Sequence, residues 1–288
     1  MDEATLLLLR GACRGLHLAG YFGAFGAIFL SAALLRGAAV NGMKRLAWAG
    51  FGLALLAGAA WFLLQSAYFA SAQSFADIMA VVPTVALYTF FGRLLLARLA
   101  ALLLAVLLFQ CNQPRPALLL SFGGVVAEAW LGHGGAMTGA EGDVLLGTSI
   151  LHLAAAALWL GTLPALLVAI AVVQEPAPLA RRYSPLGIGC VAVLLLTALI
   201  QFILLIARPA ALVNSGYGAV ALSKILLLGG LVILAARNRL RLVPALPAAR
   251  PALLRAIGAE ILLGLLVLTA AGILLQLEPP AMAGMSGG

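Results

Sequence analysis

The stretch TSILHLAAAALWLGTLPALLVAIA, residues 148–171, runs for 24 residues without an Asp, Glu, Lys or Arg. Crossing the hydrocarbon of a bilayer takes about 20 apolar residues in helical form, so the segment reads as a transmembrane helix. It is one of a series. Working outward, apolar runs between polar punctuation lie at 14–35, 44–68, 90–110, 115–135, 184–207, 217–236 and 254–276, which makes about eight spans. The chain of 288 residues is 64% hydrophobic and 9% charged, whereas a soluble domain carries roughly a quarter charged residues. Mean hydropathy is +1.14. The fold class that follows is all-α: a polytopic membrane protein forming a single integral membrane domain over 1–288, with no linker and no room for a folded soluble partner.

The net charge of +8 is distributed by loop. Arg36, Lys44 and Arg45 fall between the first two spans, Arg115 between the third and fourth, and Arg181 and Arg182 between the fifth and sixth. Arg237, Arg239, Arg241 and Arg250 fall between the last two. The alternate loops hold Asp77, Glu141, Asp143 and the single base Arg208. The positive-inside rule places the basic loops in the cytoplasm, so both termini are expected in the periplasm. It also accounts for the basic balance without nucleic acid, which is excluded as a partner. The start MDEATLLLLRGACR lacks a basic n-region, so no cleaved signal is expected. Cys13, Cys111 and Cys190 stand apart with no CxxC pair, which argues against a disulfide framework and a zinc site.

Two motifs recur in order. His17-Leu18-Ala19 precedes Gly26 by nine residues from the histidine, and His152-Leu153-Ala154 precedes Gly161 by the same nine. Thr89-Phe90-Phe91-Gly92 precedes Arg98 by six from the glycine, and Ser215-Gly216-Tyr217-Gly218 precedes Lys224 by the same six. The matches fall on spans 1 with 5 and 3 with 7, which points to a tandem duplication of four spans, with halves at about 1–138 and 139–288. An even number of spans per half gives parallel repeats. The same register makes residues 70–89 an outer loop or interfacial helix.

Charge-based orientation brings His17, His133 and His152 to the outer half of the membrane. A lone intramembrane histidine more often makes a structural hydrogen bond; three at one depth, two of them related by the repeat, favour ligation. Met137 follows His133 by four residues, and Met79, Met282 and Met285 also map outward. Imidazole and thioether donors suit Cu(I), whereas Mg²⁺ or Ca²⁺ want oxygen. The expected site is therefore copper on His17, His133, His152 and Met137, with Cys13 and the terminal methionines better explained by packing or a tail. Glu128, Glu260, Arg98 and Lys224 are further intramembrane polar residues, and leaving any of them unpaired costs roughly 3 kcal/mol or more. Arg98 and Lys224 are expected at matching depths facing the interior, with Glu128 as a counter-charge. Trp130 and Trp159 read as packing or belt residues. No nucleotide-binding loop, Ser/His/Asp order or paired carboxylates occur, so no enzymatic activity is expected.

These segments also resemble a known family. LHLAAAALWLGTLPAL (151–166), GYGAVALSKILLL (216–228), AARNRLRLVP (235–244) and AEILLGLLVL (259–268) with Pro279-Pro280 are similar to the copper resistance protein D family of bacterial inner-membrane proteins. RGLHLAGYFGAFGAIF (14–29), TFFGRLLLARL (89–99) and Gly132-His133 match it in the first half. The resemblance implies eight spans, copper movement across the inner membrane towards the cytoplasm, and a periplasmic copper carrier as partner, with His133, His152 and His17 carrying over as site residues. The alternative is a redox subunit, either a b-type cytochrome with His17 and His152 as haem ligands or a quinone-reactive protein.

Overall fold

The computed structural model describes residues 2–35, 40–206 and 210–283; Arg36, Arg208 and Met285 lie outside the described residues. The described chain is helix and turn throughout. In order it forms α1 (Glu3–Ala33), α2 (Val40–Phe69), α3 (Phe75–Tyr88), α4 (Phe90–Gln110), α5 (Pro114–Ala127), α6 (His133–Ala136) and α7 (Gly139–Trp159). There follow α8 (Leu163–Val172), α9 (Pro176–Ile206), α10 (Ala211–Asn214), α11 (Gly216–Arg237), α12 (Arg250–Leu274) and α13 (Pro280–Ala283).

Among the described residues, seven helical runs are long and apolar enough to cross a membrane. The expected fourth span, 115–135, is not one of them. It is built as α5 followed by a 3₁₀ turn, Glu128–Leu131, after which Gly132 turns into extended backbone. That path rises roughly 29 Å, close to the bilayer core of about 30 Å, so the segment is a crossing in pieces rather than one helix. The first span also differs. Helix α1 begins at Glu3, its first turn capped by Asp2, whose carboxylate accepts from the Thr5 N–H at 2.7 Å. Arg10 and Arg14 therefore lie inside the helix, where side-chain partners satisfy them. The fifth span breaks at Trp159 and resumes at Leu163.

Helix α1 is the central element, packed on α2, α4, α5, α7, α8 and α12. Lipid tails are as apolar as leucine, so helices in a bilayer associate through close backbone approach rather than a hydrophobic drive. The seam of α1 with α12 shows this. A methyl group added to Gly15 would fall 2.6 Å from the Thr269 Cα, and one on Gly11 2.5 Å from the Ile273 Cα. These contacts set the amino-terminal half of α1 against the carboxy-terminal half of α12, so the start of α1 and the end of α12 lie at one end of the bundle.

The opposite end gathers the basic loops. Lys44 Nζ at the start of α2 donates to the Asn112 side chain (2.8 Å) and the Gln110 carbonyl (3.1 Å), tying α2 to the α4–α5 turn. Arg250 at the start of α12 donates to the carbonyls of Ile170, Ala171 and Val173 at 2.5–3.0 Å. Those are terminal carbonyls of α8 that have no intrahelical partner. Residues 75–88, within the segment expected as an outer loop or interfacial helix, form α3. This is a 14-residue helix with Pro83 inside it and a capping box between Ser74 and Asp77.

Candidate functional site

Arg10, Arg14, His17 and Tyr21 follow one another at intervals of four, three and four, which places them on one face of α1. That face builds a buried ionic cluster. The Glu128 carboxylate sits between two guanidiniums: Arg14 donates to Oε1 from Nη2 (2.7 Å) and Nε (3.1 Å), and Arg98 Nη1 pairs with Oε2. All three side chains are at most 3% exposed. Arg98 Nε also donates to the Gly124 carbonyl at 2.8 Å, while its Nη2 is buried with no partner. Each guanidinium lies over an aromatic ring at 4.9 Å, Arg14 over Trp61 and Arg98 over Tyr21. The 3₁₀ turn at Glu128–Leu131 and the broken fourth span serve this cluster, because Arg14 also donates to the Leu131 carbonyl at 2.9 Å.

His17 belongs to the same cluster. Its Nδ1 lies 2.8 Å from the Ala54 carbonyl; a carbonyl only accepts, so Nδ1 carries the proton. Nε2 then presents its lone pair to Arg98 Nη1 at 3.3 Å. Both ring nitrogens are engaged, and the side chain is fully buried. Closer to the chain end, Arg10 donates from Nε to the Gln65 side chain at 3.1 Å and stacks over Tyr68 at 3.8 Å.

The other two histidines share a different place. His133 and His152 both line a cavity of about 130 Å³ between α1 and the second half of the chain, together with Arg14, Glu128, Gln201 and Lys224. His152 Nδ1 is 2.9 Å from Thr197 Oγ1. The Thr197 hydroxyl already gives its proton to the Val193 and Leu194 carbonyls (2.7 and 3.2 Å), so it accepts from His152 Nδ1–H. The lone pair of His152 is thereby left on Nε2. His133 Nε2 is buried without a partner, and its ring lies 6.1 Å from that of Tyr217. Met137 packs against the apolar cluster of Leu145, Leu205, Ile206, Tyr217 and Ala221 beside this cavity. Among the described residues, no three His, Cys, Asp or Glu side chains form a ready metal cage. The structure thus sets His133 and His152 on the walls of one cavity, Met137 against the adjoining apolar cluster, and His17 in the ionic cluster.

The remaining sequence candidates divide. Arg98 and Lys224 stand at equivalent positions after the same helix start. Thr89 caps α4 by accepting from the Gly92 N–H at 3.0 Å, and Ser215 caps α11 by accepting from the Gly218 N–H at 3.0 Å. Each hydroxyl also donates back to a carbonyl four residues earlier at 2.6 Å. Arg98 is paired; Lys224 makes no hydrogen bond or ion pair among the described residues. Glu260 is at the other end of the bundle, bonded to Asn238. Sequence reading missed Arg14, Gln65 and Thr197. For Arg14 the signal was present in its helical spacing to His17 and Tyr21.

Long apolar helices whose charges are paired with each other or turned into an internal cavity define a multi-pass membrane protein set in a lipid bilayer. Residues 1–143 match the family described as Copper resistance protein D-like, N-terminal domain, and residues 177–274 match Copper resistance protein D. The chain belongs to the copper resistance protein D family, whose function class is copper resistance and transport. No curated protein and no solved structure matches the chain.

Proposed function

We propose that the protein conducts copper, as Cu(I), across the bacterial inner membrane towards the cytoplasm, receiving it from a periplasmic carrier at the end of the bundle where α1 starts and α12 ends. The observation that carries this reading is the pair His133 and His152, two imidazoles that line one cavity and whose Nε2 atoms have no hydrogen-bond partner among the described residues. Neutral imidazole nitrogen is a donor suited to copper, and Met137, packed against an apolar cluster that shares Leu145, Leu205 and Tyr217 with the cavity lining, would add a soft donor. His17 supports the site indirectly, through its contact with Arg98, which pairs with the Glu128 that lines one wall.

The cap geometry shared by Thr89 and Ser215, with Arg98 and Lys224 six residues past the matching glycines, supports a duplication with halves at about 1–138 and 139–288. Binding sites in transporters built from repeats tend to form where the halves meet, and the cavity between α1 and the second half is such a place. The role is transport rather than catalysis.

Copper content of the purified full chain, measured with and without added Cu(I), tests the reading. The wild type is expected to retain copper. A His133→Ala, His152→Ala double variant that keeps the wild-type melting profile is expected to lose it. Unchanged stoichiometry and affinity in that variant would defeat the proposal. An intense Soret band in the purified protein would replace it with the haem reading.

A further inference from the structure

A second, larger cavity of about 350 Å³ lies at the basic end of the bundle, walled by α7, α8, α9, α11 and α12. Its lining is apolar apart from Glu260, Asn238 and Ser184; among the described residues, the other titratable or charged side chains facing it are Tyr183 on α9 and Arg239 after α11. Glu260 and Asn238 are each 5% exposed. Glu260 Oε1 accepts from Asn238 Nδ2 at 2.5 Å, while Asn238 Oδ1 is buried with no partner. Asn238 opens a π-helical turn, Asn238–Leu242, a feature frequent at functional sites because it releases backbone from the regular ladder.

Glu260 differs from Glu128 in its company. Two guanidiniums neutralise Glu128, whereas Glu260 makes no ion pair among the described residues, and Arg239 is exposed. An ionised carboxylate held in apolar surroundings without a counter-charge is costly. The group therefore calls for a cation. A carboxylate and one amide oxygen are hard donors, wrong for Cu(I) and too few to replace the hydration shell of a metal ion. A proton needs only one oxygen. The Tyr183 hydroxyl is already committed, 3.1 Å from the Trp159 carbonyl and 2.9 Å from Thr162 Oγ1.

One residue joins this cavity to the histidine-lined one. Trp159, 2% exposed, lines both, and it stands where α7 breaks before α8. We propose that Glu260 with Asn238 is a proton-binding site that couples to copper movement, and that Trp159 is the wall between the proton side and the copper side. This rests on the copper-transport reading for its cargo but not for the proton site itself.

Dicyclohexylcarbodiimide, which modifies protonated carboxyl groups in apolar surroundings, tests the site on the full wild-type chain in lipid. Mass spectrometry is expected to find Glu260 modified, decreasingly as pH rises and without protection by Na⁺, and Glu128 unmodified. In proteoliposomes, a Glu260→Gln variant is expected to keep wild-type copper stoichiometry but lose at least tenfold of the copper uptake driven by a pH gradient. Absence of labelling at every pH, protection by Na⁺, or gradient-driven uptake undiminished in Glu260→Gln would each overturn the proposal. If the wild type moves no copper at all, the transport reading fails, and the labelling alone decides the proton site.

Discussion

Gly26 and Gly161 meet backbone to backbone: a side chain on Gly26 would run into the Gly161 carbonyl, and one on Gly161 into the carbonyl of Phe22. The two glycines stand nine residues after His17 and His152, so the matching points of the repeated motif are the points at which α1 and the α7–α8 break touch. The break itself is closed by side chains, with Thr162 Oγ1 donating to the Leu158 and Trp159 carbonyls (2.6 and 3.0 Å). Replacing Gly26 with Val therefore has no flexible neighbour to displace. A loss of at least about 1–3 kcal/mol, the range for overpacked interiors, is expected, read as a lower melting temperature in detergent. Gly23→Val, where the added Cβ meets nothing within 4 Å, serves as the control and should lose less.

The ionic cluster makes an asymmetric prediction. Glu128→Gln leaves Arg14 and Arg98 buried and uncompensated, whereas Arg98→Gln leaves Arg14 still paired with Glu128. Removing one member of a buried pair costs about 3–5 kcal/mol when a bare charge remains. Glu128→Gln is thus expected to be the more destabilising change. Equal melting of the two variants would mean that water, not protein, compensates the guanidiniums.

Spans were readable because the bilayer imposes one length and one polarity on every crossing, as residues 90–110 show by coinciding with α4. The fourth span was misread as a single helix because hydropathy registers composition and not continuity. Residues 128–131 stay apolar enough while Glu128 bends the path to reach Arg14 and Arg98. The start of α1 was placed too late for a related reason: Arg10 and Arg14 look like a flank until their partners, Gln65 and Glu128, are known, and those lie 55 and 114 residues away. Of the candidate site, the histidines were legible as intramembrane polar residues. Which ring nitrogens are occupied was not, because a carbonyl such as Ala54's or a hydroxyl such as Thr197's carries no sequence signature.

His17 and His152 occupy equivalent motif positions and are expected to behave differently. A His17→Gln variant loses the hydrogen bond to Ala54 and the contact with Arg98, so a stability loss of about 1–3 kcal/mol is expected with copper stoichiometry retained. His152→Gln also gives up its bond to Thr197, so it is distinguished by copper: it should lose the metal that His17→Gln retains. Loss of copper in a well-folded His17→Gln variant would return His17 to the ligand set.

Lys224 places a buried amine in the cavity that His133 and His152 line, and in its protonated form that amine works against occupancy by any cation. Its counterpart Arg98 has Glu128 as a partner; Lys224 has none among the described residues. Lys224→Gln removes the repulsion without changing the donors, so the variant is expected to hold Cu(I) several-fold more tightly and to release it more slowly. Competition with a chelator of known affinity measures the first, and efflux from loaded proteoliposomes the second. Weaker binding in Lys224→Gln would show that the amine helps to hold the cargo instead.

The charge distribution predicts which end faces the cytoplasm. Lys44, Arg115, Arg181, Arg182 and Arg250 gather at one end of the bundle, and two of them fasten helix ends there. At the other end lie Asp2, Glu3, Glu141, Asp143 and Asp77. The Ser74 hydroxyl, with the N–H groups of Ser74 and Gln73, holds the Asp77 carboxyl below the usual range, so it stays charged at neutral pH. Basic loops are retained on the cytoplasmic side, whereas acidic residues weigh little in topology. The basic end should therefore be inside, although the acidic residues do not oppose that assignment. A reporter active only in the cytoplasm is expected to be silent when fused after the last residue and active when inserted in the 245–249 turn. The opposite pattern would invert the bundle, and copper would then meet His133 and His152 from the cytoplasm, turning the proposed uptake path into one of export.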